Sequence, residues 1–325
     1  MKRLYLKFFR LMSLVLFVFS TALHAQTGAR AECFTFEKLS PEQRVKAEEL
    51  LLKALDGEAL YTIVGGLKPM SSGFQSVQLP VQLPRVSDAE AAKILGELAG
   101  KKPEELNQDE KRRLGQAKQA DERRKALEKV SATRAIFEHW RCGNDEIFAD
   151  VHHYAQTYEG KRYLDTIVFS RSSLRQVIGA KADFFSRWGI TQNSHPLEVL
   201  YAVEHDETNA RFGGYGFLFG YPDYAVEFFV RASDEEKFTG KFVERDFISL
   251  PTVAGENRFV YVVEKGHAQN ETDKALRAKA ERIFNEYQRR RSEYIGAGKK
   301  GVVEMLRDWF CTSPNQCSAM SAKIN

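Results

Sequence analysis

Apolar residues recur every three or four positions along most of this chain and every second position in a few short runs, a pattern that predicts many helices and a little sheet. Ser40-Pro41-Glu42-Gln43 opens the first helix. A serine followed three residues later by glutamine can close a capping box, and proline at the first helical position removes an N–H that would lack a partner. Val45, Leu50, Leu51 and Leu55 give that helix its apolar face. A second, shorter helix is expected over residues 58–64, ended by Gly65-Gly66. Residues 68–73 read as a loop and 74–83 as extended chain, because two prolines forbid a helix there and weaken a central strand. Ser87 with Glu90 starts another helix. Asn107 and Glu110 then cap a long one that runs to Arg141 and stops at Gly143, anchored by Leu114, Leu127, Val130, Ile136, Phe137 and Trp140.

The texture changes after Gly143. Residues 147–158 and 161–170 alternate like strands around Glu159-Gly160, the signature of a hairpin. Ser172 or Ser173 caps a helix carrying Leu174, Val177, Ile178, Phe184 and Phe185, and His195-Pro196 begins another through Val203. The glycine-rich run 212–219 reads as extended, and Pro222 leads into a helix with Tyr224, Val226, Phe228, Phe229 and Val230. Strands are expected over 241–250 and 258–264, a long helix from Asn270 with Leu276, Ala280, Ile283, Tyr287 and Tyr294 on one face, and a terminal helix over 302–310. The fold class is therefore α+β. A mainly helical N-terminal part occupies residues 26–143, and an α+β domain with a mixed or antiparallel sheet and packed helices occupies 144–325.

Residues 1–25 stand apart. Lys2, Arg3, Lys7 and Arg10 precede a mostly apolar run from Leu11 that ends in small residues before polar Gln26. This is the pattern of a secretory signal peptide, cut after Ala25, and it is shorter than the roughly 20 apolar residues of a spanning helix. Without the leader, the surplus of 48 Lys and Arg over 44 Asp and Glu disappears. An electrically neutral body argues against nucleic acid as a partner, and the absence of a second long apolar run argues against a transmembrane span in the mature chain. Export to an oxidising compartment makes Cys33, Cys142, Cys311 and Cys317 disulfide candidates. Four cysteines allow three connectivities. Cys311 and Cys317 bracket a turn-rich loop that can close locally, leaving Cys33 to Cys142; a bridge from the C-terminal tail to the N-terminal part is the alternative.

Candidate chemistry centres on the hairpin. A two-residue turn at Glu159-Gly160 pairs Tyr158 with Lys161, His152 with Ile167 and Tyr154 with Asp165, placing Asp150, His152, Tyr154 and Asp165 on one face. A carboxylate beside an imidazole can orient it and raise its basicity, so Asp150, His152 and Asp165 are the candidate catalytic residues. His153 falls on the other face with Val151, Leu164 and Val168, as a core histidine. Tyr154, together with Tyr215 and Tyr221 around the glycine-rich run, forms a candidate ligand-binding set. Glu204-His205-Asp206-Glu207 reads as a solvated acidic corner rather than a metal centre, since it lacks the HExxH or EF-hand spacing. Gly296 to Gly301 matches GxGxxG but follows a helix, so it reads as a turn, and Lys68 near Ser71 and Ser72 reads as a loop lysine. No cofactor is implied. These observations point to an exported, non-catalytic protein that binds a small molecule or a cell-envelope partner. The alternative is a hydrolase-like enzyme using the Asp/His residues, with or without a divalent metal.

Overall fold

A computed structural model describes residues 33–141, 146–255 and 259–310. Helix α1 (Pro41–Asp56) starts at the expected capping box, with the Ser40 side chain accepting from the Gln43 N–H and Gln43 returning to the Ser40 N–H. Leu50, Leu51 and Leu55 are buried, whereas Val45 is exposed. A five-residue helix, α2 (Ala59–Ile63), follows. Strand β1 (Met70–Pro80) begins four residues earlier than the proline pattern indicates. It is an edge strand, which is why Pro80, lacking an N–H, is tolerated at its end. Ser87 caps α3 (Asp88–Glu97), and Asn107 closes a capping box with Glu110 at the start of α4 (Gln108–Glu138). The buried stripe of α4 consists of Ala117, Ala120, Ala126, Val130, Thr133, Ile136 and Phe137, while Leu127 faces outward.

Glu159 and Gly160 both take positive φ, 48° and 71°, and join β2 (Ile147–Tyr158) to β3 (Lys161–Ser170). The sheet order β1-β3-β2 is antiparallel throughout, so its strands come from both sides of residue 143. Each face of this sheet is covered. Val77, Ala149, Val151, Leu164 and Val168 join the cluster built with α1, α2 and α4, where Phe74 stacks on Trp140 at 5.7 Å and Phe137 meets it edge-on at 4.9 Å. Met70, Phe148, Ile167 and Phe169 point the other way, into a cluster with the helices that follow β3.

Those helices are α5 (Arg171–Ala180), α6 (Ala182–Phe185), α7 (Pro196–Glu204) and α8 (Thr208–Leu218), and α9 (Asp223–Thr239) comes after them. Ser170, not Ser172 or Ser173, caps α5. The expected extended run 212–219 is largely helical: it lies in α8 to Leu218, with Phe219 as the C-cap. Glycine lowers helix propensity by up to about 1 kcal/mol per residue, but here close packing prevails. A Cβ at Gly214 would lie 2.6 Å from Val203 of α7, and one at Gly216 would lie 2.7 Å from Val226 of α9. The glycines let one helix wedge between two others.

A two-stranded sheet, β4 (Arg245–Leu250) and β5 (Phe259–Glu264), packs Ile248, Tyr261 and Val263 against Ala225 of α9 and Leu276 of α10 (Glu271–Tyr294). Asp273 ties these elements together, accepting from Tyr261 at 2.5 Å, from the Asn270 N–H at 3.0 Å and from the Tyr224 hydroxyl, with His267 2.8 Å away. Burial alone would push this carboxyl up, but the donors outweigh it and hold it at about 2. Gly296 to Gly301 is indeed a turn, leading into α11 (Val302–Phe310). Among the described residues, no helix is long and apolar enough to cross a membrane. Cys33 is buried and is not a free thiol, whereas Cys142, Gly143, Cys311, Cys317 and the leader over 1–25 lie outside the described residues.

Candidate functional site

The glycine faces of α8 leave its aromatic residues to do something else. Phe212, Tyr215 and Phe219 recur at intervals of three and four, so they share one face and form one wall of a cavity of about 390 Å³. Ala225, Val226 and Phe229 of α9 form a second wall, and Val260 and Val262 of β5 a third. Gly220 ends the helix with φ of 73°, and a Cβ there would lie 2.7 Å from the Leu67 carbonyl, so only glycine turns the chain tightly enough to bring Tyr221 into the same lining. Tyr154 enters from β2. The three tyrosines singled out from sequence, Tyr154, Tyr215 and Tyr221, thus line one cavity.

The polar partners of Tyr154 and Tyr215 follow from an irregularity in β2. Tyr158 pairs with Lys161 as expected, but the register shifts between His153 and Thr157, so His152 sits opposite Asp165 rather than Ile167. A bulge leaves ladder groups without strand partners. The Ala155 N–H donates instead to Glu204 Oε1 at 2.7 Å, and the guanidinium of Arg162 donates to the carbonyls of Tyr154 and Ala155 at 2.6 and 2.7 Å. Glu204 Oε2 accepts from the Tyr215 hydroxyl at 2.6 Å. The Tyr154 hydroxyl donates to Asp165 Oδ2 at 3.0 Å, and Asp165 also accepts from Ser76. Burial first, then the adjacent carboxylates, pushes the phenols of Tyr154 and Tyr215 well above the ordinary tyrosine range. Glu204, at 3% exposure, is therefore no solvated corner. Nothing in the tetrapeptide itself announces this, because its partners lie on β2 and α8.

Asp150, His152 and Asp165 are not joined into one hydrogen-bonded set. Asp150 is held at the sheet edge by Arg134 at 3.0 Å and Arg141 at 3.5 Å. Asp165 is taken by Tyr154 and Ser76. His152, 1% exposed, has no partner for either ring nitrogen among the described residues. Its ring lies 5.3 Å from Tyr154 and 5.6 Å from Tyr201 of α7. Burial lowers its pKa to about 4, with nearby Glu204 opposing and His153 and His205 reinforcing the shift, so the imidazole is neutral near pH 7. The core histidine is thus His152, and His153 is half-buried against Tyr201 and His205, at 5.5 and 6.5 Å. Asp206, next to His205, accepts from the Trp188 indole. Among the described residues, no three His, Cys, Asp or Glu side chains gather at metal-binding spacing.

Lys68, read as a loop residue, is fully buried. It pairs with Glu58 and lies 5.0 Å from the ring centroid of Phe219 and 4.4 Å from that of Phe259. Burial lowers its pKa while Glu58 opposes that shift. Comparison with protein families, with curated proteins and with solved structures finds no match for this chain.

Proposed function

We propose that this chain is an exported, non-catalytic binding protein of the cell envelope, and that its ligand is a compact organic molecule with a mostly apolar surface. The single observation that carries the reading is the cavity between α8, α9 and β5: about 390 Å³, walled by aromatic and aliphatic side chains, three of them tyrosines. Small-molecule sites have this composition, in which apolar walls supply affinity and a few polar groups fix orientation. The leader pattern over residues 1–25 supports export, and the four cysteines support disulfides in the mature chain. Asp150 and Asp165 are bound to separate groups and His152 to none among the described residues, which lends nothing to the hydrolytic alternative.

A fluorescence titration with 1-aminoanthracene, an apolar probe that brightens when shielded from water, tests the reading. Wild-type protein is expected to bind it saturably. Val262→Trp, which adds a large side chain to the β5 wall, is expected to weaken binding by at least roughly tenfold, about 1.4 kcal/mol. Undiminished binding to a folded Val262→Trp protein would place the probe elsewhere and remove the cavity as the site.

A further inference from the structure

We infer that the cavity selects a ligand that offers a hydrogen-bond donor, a hydroxyl or an amine on an apolar body, and discriminates against carboxylates and phosphates. The inference rests on the binding reading above and adds the ligand's polar chemistry. A phenol has a single hydrogen to give. Tyr215 gives its hydrogen to Glu204 Oε2 at 2.6 Å, and Tyr154 gives its own to Asp165 Oδ2 at 3.0 Å. A carboxylate can only accept, so these two phenols cannot reverse their bonds. What remains on each phenol oxygen is acceptor capacity, shared at Tyr154 with the Ser72 side chain and unshared at Tyr215.

The surrounding charges agree with this polarity. Glu204 and Asp165 stand directly behind the two phenols, so an anionic ligand group would meet lone pairs backed by like charge. The neighbouring cations are occupied: Arg162 donates to the Tyr154 and Ala155 carbonyls, and Lys68 pairs with Glu58. Arg211, whose guanidinium lies 5.8 Å from the Phe212 ring centroid, is the cation on α8 whose charge reaches Tyr215. It is the natural partner of an anion if the inference is wrong. The Tyr221 hydroxyl makes no hydrogen bond among the described residues and is free to donate or accept. A ligand hydroxyl can therefore donate to Tyr215, and Tyr221 adds a second hydroxyl to the same lining. A site built this way rejects groups that leave its own acceptors facing acceptors.

Three probes of one shape test the inference: 1-naphthol, 1-naphthylamine and 1-naphthoate, measured at pH 7.5 by displacement of 1-aminoanthracene and by calorimetry. The alcohol and the amine are expected to bind at least roughly tenfold tighter than the carboxylate. Glu204→Gln offers an amide that can donate to Tyr215 and so release its hydrogen toward the cavity, and should narrow that gap. Tyr215→Phe, which removes an acceptor and leaves Glu204 its bond from the Ala155 N–H, should weaken naphthol several-fold and not strengthen naphthoate. Naphthoate binding as tightly as naphthol, and losing its affinity in Arg211→Ala, would overturn the donor rule while leaving the cavity as a binding site. Failure of all three naphthalene probes, and of 1-aminoanthracene, to bind folded wild-type protein would instead remove the binding reading itself.

Discussion

His152 is a buried imidazole whose two nitrogens have no partner among the described residues, so it carries a cost that depends on pH. Its pKa is lowered from 6.5 to about 4. Between these values the unfolded chain binds a proton that the folded chain refuses, so this residue makes stability fall as pH drops from 6.5 toward 4 and leaves it flat above 6.5. The shift corresponds to roughly 3 kcal/mol. Urea unfolding of wild type and His152→Phe between pH 8 and pH 4 checks this: the variant should be the more stable protein at pH 4.5 and should show a shallower slope. Equal slopes would mean that the imidazole is solvated. Which histidine of the His152-His153 pair is buried was not legible in the sequence. Alternation assigned the core position to His153 by taking the Asp150–His152 face as solvated, but helices cover that face too, so His152, on the side of Phe148, packs against Tyr201 of α7. Lys68 was hidden for a similar reason, since its partner Glu58 lies ten positions away on the preceding segment.

Local chemistry made most elements readable. The capping boxes at Ser40, Asn107 and Asn270, the proline before α9 and the Glu159-Gly160 turn each determine a start or a reversal within four residues, and the helices and hairpin appear where those signals stand. Helix α8 is the exception, because its glycines speak against helix locally and for it only through the helices they touch. This makes a further prediction. Gly216→Ala adds a methyl group 2.7 Å from Val226 and should destabilise the protein by roughly 1–3 kcal/mol despite alanine's better helix propensity. Adding Val226→Ala should recover part of that loss, giving a double mutant more stable than the sum of the two changes. Thermal denaturation of the four proteins settles it, and strict additivity would mean the two side chains do not meet.

At the scale of the whole molecule, the α+β class was legible, while the sheet that draws β1 from before residue 143 and β2 and β3 from after it was not, since pairing between distant segments leaves no local trace. The leader makes a prediction of its own: protein recovered from the periplasm or medium should have a mass that begins at Gln26, and alkylation of the unfolded, unreduced chain should label no thiol. A retained leader with labelled cysteines would refute export. One contact extends the consequence. Asp56, at the end of α1, accepts from Tyr287 at 2.7 Å and from Arg291 at 2.7 Å on α10, and Arg307 of α11 reaches Glu37 at 3.0 Å. The earliest helix thus waits for the latest ones before its core can close, and such distant closure is slow to form. Under the export proposed above, a polypeptide arranged this way keeps its front half unlocked until its far end has emerged, a delay that suits passage through a narrow translocation pore.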